Sequence, residues 1–172
     1  MGNLASTDIT KQAIRTGGRT YRKEFPEDAA QTFVAGDVLT ADAAGQCTLG
    51  AASGATLDST GNRIIGQALE AASGTENTLI AVEVWTNDTY IDLPKYHSTA
   101  ATAATARTDV DAQCNLRNDA SFGWVWDYET VTNPVGHCVG IPKSYDGKPM
   151  SVGGQYNPLR CRIIGTELFD NS

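Results

Sequence analysis

The chain has no run of apolar residues long enough to cross a bilayer, and its opening stretch Met1-Gly2-Asn3-Leu4-Ala5-Ser6 lacks the charged and apolar regions of a secretory signal. Gly2 with Ser6 fits a myristoylation pattern only loosely, and so short a pattern arises readily by chance. Histidine occurs twice, at His97 and His137, neither at metal-ligand spacing from a cysteine. The four cysteines, Cys47, Cys114, Cys138 and Cys161, form no Cys-x-x-Cys pair. They read as buried, reduced small hydrophobes, not as zinc ligands. The phosphate-cradling patterns Gly-x-Gly-x-x-Gly and Gly-x-x-x-x-Gly-Lys-[Ser/Thr] are missing, as is the nucleophile elbow Gly-x-Ser-x-Gly. The close carboxylate pairs, Asp109 with Asp111 and Asp88 with Asp92, lie in turn-rich surroundings and read as turn formers. No enzyme, metal or cofactor is expected from this inventory.

Cations are also scarce. Thirteen Lys and Arg face 20 Asp and Glu, for a net charge of −7. That balance argues against a nucleic-acid binder, and nothing in the chain points to a membrane. The cations are unevenly placed. Residues 1–23 carry Lys11, Arg15, Arg19, Arg22 and Lys23 against Asp8 alone, a surplus of +4 that leaves the rest of the chain at −11. A basic leading segment on an acidic body predicts an arm, residues 1–30, mostly extended, that docks on something acidic.

What the chain does have is β grammar. A β-branched or small apolar couplet runs into glycine at Ile64-Ile65-Gly66, Cys138-Val139-Gly140 and Ile163-Ile164-Gly165. Apolar β-branched residues suit a half-buried pleated surface. A glycine within such a run marks a bulge, a bend or a close backbone approach. Leu79 to Trp85 alternates best, with Leu79, Ala81, Glu83 and Trp85 on one side and Ile80, Val82 and Val84 on the other. Further strands are expected over Phe33–Thr40, Gln46–Leu49, Arg63–Glu70, Tyr90–Leu93, Ala112–Leu116, Phe122–Tyr128, Gly136–Ile141 and Arg160–Phe169. Residues 50–62, rich in Gly, Ala, Ser and Thr, read as a long flexible loop. The Ala/Thr-rich residues 98–112 read as a short helix or a loop. Ala44-Gly45-Gln46-Cys47-Thr48-Leu49 is weakly echoed by Asp111-Ala112-Gln113-Cys114-Asn115-Leu116. The expected fold is therefore mainly β: a small barrel-like or sandwich body with an extended N-terminal arm and little helix. Residues 31–97 form its first part. Residues 98–172 form an added β subdomain or the second half of the same body.

The aromatics Trp85, Trp124, Trp126, Tyr90 and Tyr128 alternate on strands, which points to core or oligomer-interface positions. A sugar-binding face on a carbohydrate- or cell-surface-binding β module is the competing reading.

Four segments together resemble the head decoration (cement) proteins of tailed bacteriophages: Ala35-Gly36-Asp37-Val38-Leu39, Gly45-Gln46-Cys47-Thr48-Leu49, Ile64-Ile65-Gly66-Gln67-Ala68-Leu69-Glu70-Ala71-Ala72-Ser73-Gly74 and Leu79-Ile80-Ala81-Val82-Glu83-Val84. The resemblance covers about a third of the chain, and its motifs encode strand and turn physics. It implies a small barrel-like or β-tulip domain on the outside of the mature icosahedral shell. There it would bridge neighbouring capsomers against the pressure of packed DNA. The implied partners are the major capsid protein and further copies of the chain, as dimers or trimers, with no cofactor. On that reading Lys11, Arg15, Arg19, Arg22 and Lys23 meet acidic capsid surface.

Overall fold

The computed structural model describes residues 15–57, 63–99, 102, 105–129, 131, 134–142 and 157–164. Eleven strands make up almost all of the regular structure: β1 (Arg15–Gly17), β2 (Thr20–Pro26), β3 (Val38–Ala41), β4 (Cys47–Leu49), β5 (Arg63–Ala68), β6 (Leu79–Trp85), β7 (Tyr90–Tyr96), β8 (Gln113–Asp119), β9 (Gly123–Asp127), β10 (Gly136–Gly140) and β11 (Pro158–Ile163). A short 3-10 turn, Arg107–Asp109, stands between β7 and β8.

The strands divide into two bodies. Strands β7, β11, β10, β8 and β9 are neighbours in that order, and β9 returns to pair in parallel with the end of β7, closing a five-stranded barrel. Closure removes exposed sheet edges. Strand β1 pairs with the first half of β7. The second body is an antiparallel sheet ordered β2-β6-β5-β3-β4. Its two outer strands are joined at one end by a parallel bridge between Glu27 and Cys47.

The expected mainly-β architecture holds, and the best-patterned strand behaves as its alternation predicts. Ile80, Val82 and Val84 enter one core cluster while Trp85 enters the other. The glycine couplets mark ladder irregularities. At Ile64-Ile65-Gly66 the β3–β5 register slips between Leu39 and Thr40, and the consecutive residues Ile64 and Ile65 enter different cores. Gly66 has φ +155°, and a Cβ there would sit 1.9 Å from the Glu83 carbonyl oxygen, so only glycine fits. At Cys138-Val139-Gly140 the β10–β11 register shifts in the same way. Gly165 of the third couplet lies outside the described residues.

The domain layout differs from the expected one in three places. Residues 20–26 are not part of a free arm. Strand β2 pairs along its whole length with β6 and buries Phe25. Strand β7, assigned by sequence to the first part, belongs to the barrel with β8–β11. The supposed flexible loop 50–62 is a strap over its described part. Leu57 N–H donates to Leu116 O at 2.7 Å, Asn118 N–H to Ala55 O at 2.9 Å, and Ala51 and Leu57 are buried. Small residues allow this close backbone approach, and composition alone does not distinguish it from looseness. The two bodies also share a core: Val38, Ile64 and Trp85 of the sheet cluster with Leu116, Trp124, Trp126, Leu159 and Ile163 of the barrel.

Candidate docking surface

Strand β11 alternates strictly. Leu159, Cys161 and Ile163 are buried, while Arg160 and Arg162 are exposed. The first half of β7 and the start of β10 alternate too, with Ile91, Leu93, Gly136 and Cys138 inward. The register therefore assembles two rows on the outside of the barrel. Asp92 and Arg160 form one; Tyr90, Arg162 and His137 form the other, and β1 pairs alongside β7 in the register Arg15 to Asp92 and Gly17 to Tyr90. Arg160 is fixed by a two-pronged ion pair, its Nε and Nη2 each 2.8 Å from a different Asp92 oxygen. That pairing raises the affinity of the guanidinium for its proton and sets its plane. His137 Nε2 lies 3.7 Å from an Asp111 carboxylate oxygen. Tyr90 and Val139 are partly exposed beside these charges.

The N-terminal cations run from this face across to the open sheet. Arg15 begins β1 on the barrel, and Arg22 and Lys23 lie on β2 in the sheet. Arg19 sits at the crossover, exposed, with its carbonyl accepting hydrogen bonds from Thr86 Oγ1 at 3.1 Å and Thr89 Oγ1 at 2.5 Å. Thr86 and Thr89 belong to the turn from β6 to β7, so two chain crossings between the bodies are pinned to each other. Lys11 lies outside the described residues. Consecutive strand residues point to opposite sides, so Arg22 and Lys23 do not share a face. Lys23 turns toward Phe25, its Nζ 5.1 Å from the ring centre, while Arg22 stands opposite Glu83 in the register.

The aromatic residues separate. Trp85, Trp124 and Trp126 are buried in the shared core, with Trp124 Nε1 donating to Asp37 Oδ1 at 3.1 Å across the two bodies. Tyr128 packs against that core, and Tyr90 is the member of the set at the surface. The tryptophan rings are enclosed, so no sugar can stack on them in this fold.

Three polar features escaped sequence reasoning. The Glu27 carboxylate is fully enclosed and accepts from Ser73 N–H at 2.9 Å, Ser73 Oγ at 2.7 Å and Gly74 N–H at 2.8 Å. Burial would raise its pKa, but these hydrogen bonds outweigh it and hold the group below the ordinary glutamate value. Beside it, burial and then the Glu27 charge push the Cys47 thiol up to about 11. Second, Lys95 Nζ lies 2.8 Å from Asp109 Oδ1, a buried pair at one end of the barrel. Third, Cys114, Cys138 and Cys161 converge inside the barrel as free thiols. Each feature joins residues distant in sequence. Only the Arg160/Arg162 alternation left a signal that a reader of the chain had available.

Among the described residues, no group of three or more His, Cys, Asp or Glu side chains is arranged to hold a metal ion, and no helix is long and apolar enough to cross a membrane. No protein-family model matches the chain, and neither a curated protein nor a solved structure is similar to it.

Proposed function

We propose that this chain is a viral structural protein that binds the exterior of the mature icosahedral capsid and cements neighbouring capsomers against internal DNA pressure. The observation that carries the reading is the placement of charge. On a protein of net charge −7, Arg15 lies on β1, Arg19 at the crossover, and Arg22 and Lys23 on β2, while Arg160, Arg162 and His137 stand on the barrel strands β11 and β10. An acidic protein that concentrates cations along its first two strands is suited to an acidic partner, the major capsid protein on this reading. The segment resemblance to phage decoration proteins supports the same conclusion. So does the build: two bodies with one core make a stiff block, as a brace under load requires.

Many modest contacts engaged at once give such a clamp its strength. Binding to assembled shells and not to free subunits stabilises the shell by mass action. The buried tryptophans are occupied within one chain, so contacts between copies, as dimer or trimer, fall to exposed apolar residues. Leu69 and Leu79 are 43% and 59% exposed, and Leu69 N–H donates to Ala81 O, two residues from Leu79 on β6.

The test is co-sedimentation of the purified chain with heads of the phage that encodes it. Deletion of residues 2–19 and the triple change Arg15→Ala/Arg19→Ala/Arg22→Ala should each weaken binding. The triple change should matter more at low salt, because screening already blunts those contacts at high salt. Binding unchanged by both, at either salt, removes the cationic segment from the account.

A further inference from the structure

Three of the four cysteines enter the barrel from different strands: Cys114 from β8, Cys138 from β10 and Cys161 from β11. Cys114 donates a hydrogen bond to Cys161 Sγ at 3.6 Å. Room for this contact comes from Gly136, where a Cβ would lie 3.0 Å from Cys114 Sγ and 2.7 Å from the Trp126 ring. The Tyr128 hydroxyl is enclosed in the same place.

Contact between sulfurs does not by itself select the pair that can bond. Cys138 and Cys161 are direct cross-strand partners. Cys138 N–H donates to Ala112 O, and its carbonyl accepts from Asp111 N–H, both at 2.9 Å and both on the β8 side. The Cys138/Cys161 pair is therefore a non-hydrogen-bonded one, the type that brings Cα atoms to about 4.5 Å. A disulfide needs about 4.4–6.8 Å. Cys114 and Cys161 have β10 between them. With neighbouring strands about 4.8 Å apart, a ring of five keeps them about 8 Å from each other, beyond the disulfide limit.

We propose that Cys138 and Cys161 are an oxidative cross-link site, forming an intrachain disulfide between β10 and β11 with hydrogen peroxide as the oxidant, while Cys114 remains a thiol. Cys138 sulfur attacks one peroxide oxygen and the O–O bond breaks, leaving a sulfenic acid and, with a proton, water. Cys161 sulfur then attacks the sulfenic sulfur. The S–O bond breaks, and the departing hydroxide takes the Cys161 proton and leaves as water. Two thiols are oxidised and one peroxide is reduced to two waters.

The local chemistry assigns the order. The hydrogen bond from Cys161 brings the Cys138 thiol down to about 7, so Cys138 supplies the attacking thiolate. Burial holds Cys161 well above its ordinary value, so Cys161 keeps its proton until the second step. On this proposal peroxide reaches Cys138 where the β10–β11 ladder is irregular, at the register shift between Cys138 and Gly140.

Peptide mapping of the full chain tests the proposal. The reduced protein is treated with hydrogen peroxide, alkylated under denaturing conditions and digested without reductant. The expected product is one peptide pair joining Cys138 to Cys161, lighter by two hydrogens and released by dithiothreitol, with Cys47 and Cys114 alkylated. Full alkylation of all four cysteines overturns the proposal, as does a link through Cys114 or oxidation of Cys138 to sulfinic acid without a link. Cys114→Ser should retain the bridge and Cys138→Ser should lose it. The mapping on the unaltered chain decides the question even if a variant fails to fold.

Discussion

The barrel and the open sheet solve the same problem by different means. A sheet with free edges invites further pairing. The barrel removes its edges by closure: β7 accepts β11 on one side and, beyond β1, β9 on the other. It fills the enclosed space with large side chains, Trp126 among them. The open sheet keeps two outer strands, β2 and β4, and clasps them at one end with polar chemistry. Glu27 bridges to Cys47 while its carboxylate ties down the Ser73–Gly74 turn. The barrel interior is thus filled mainly by apolar side chains, whereas the sheet's closure depends on one buried charge. This difference teaches where each body will fail.

The largest effect is expected in the barrel. Trp126→Ala should cost about 3–5 kcal/mol in denaturant unfolding, the range for emptying an aromatic core site. Because Val38, Ile64 and Trp85 pack into the same cluster, signals from both bodies should fall in one transition. Two separate midpoints would break the shared core into two. In the sheet, Gly66→Ala should cost about 3 kcal/mol, since a new Cβ would collide with backbone at the Glu83 carbonyl. A cost below about 1 kcal/mol would mean that β5 can shift away from β6 there.

Glu27→Ala should cost about 2–3 kcal/mol, the scale for hydrogen bonds to a buried charge. The loss should be local. Hydrogen exchange should quicken at β2 and β4 while β8–β11 keep their protection. The same carboxylate makes the comparison pH-dependent. Its folded-state pKa is depressed, so its stabilisation is complete above the unfolded-state value, about 4.3, and is lost as pH falls through the folded value. Acid should therefore loosen the β2/β4 clasp, and Glu27→Gln should flatten that dependence. The smallest effect belongs to the surface. Arg160→Ala should change stability by less than about 1 kcal/mol, as exposed ion pairs do, yet lower capsid binding if its row is the docking face.

Much of the fold was readable from the chain because it is written in local pattern. The alternation of Leu79–Trp85 separated two cores, and the couplets ending at Gly66 and Gly140 marked two register slips. Other features had no local sign. The strap at residues 51–57 is held by backbone bonds to β8, which small side chains permit without announcing. Strand β2 reads as solvated because four consecutive residues, Tyr21 to Glu24, are exposed, while its pairing to β6 runs along the backbone ladder, which side-chain pattern does not announce. The meeting of Cys114, Cys138 and Cys161 needs the curvature of a closed ring. For the site, the N-terminal cations were visible as a run in sequence. Their spread over two bodies, and the contribution of Arg160 and Arg162, depended on strand register.

The most direct measurement is the rupture of DNA-filled heads on heating, followed by release of DNA to an intercalating dye, with and without saturating protein. Bound chain is predicted to raise the rupture temperature, and the triple arginine variant to leave it near that of bare heads. Heads that burst at the same temperature whether or not the chain is present would contradict the account.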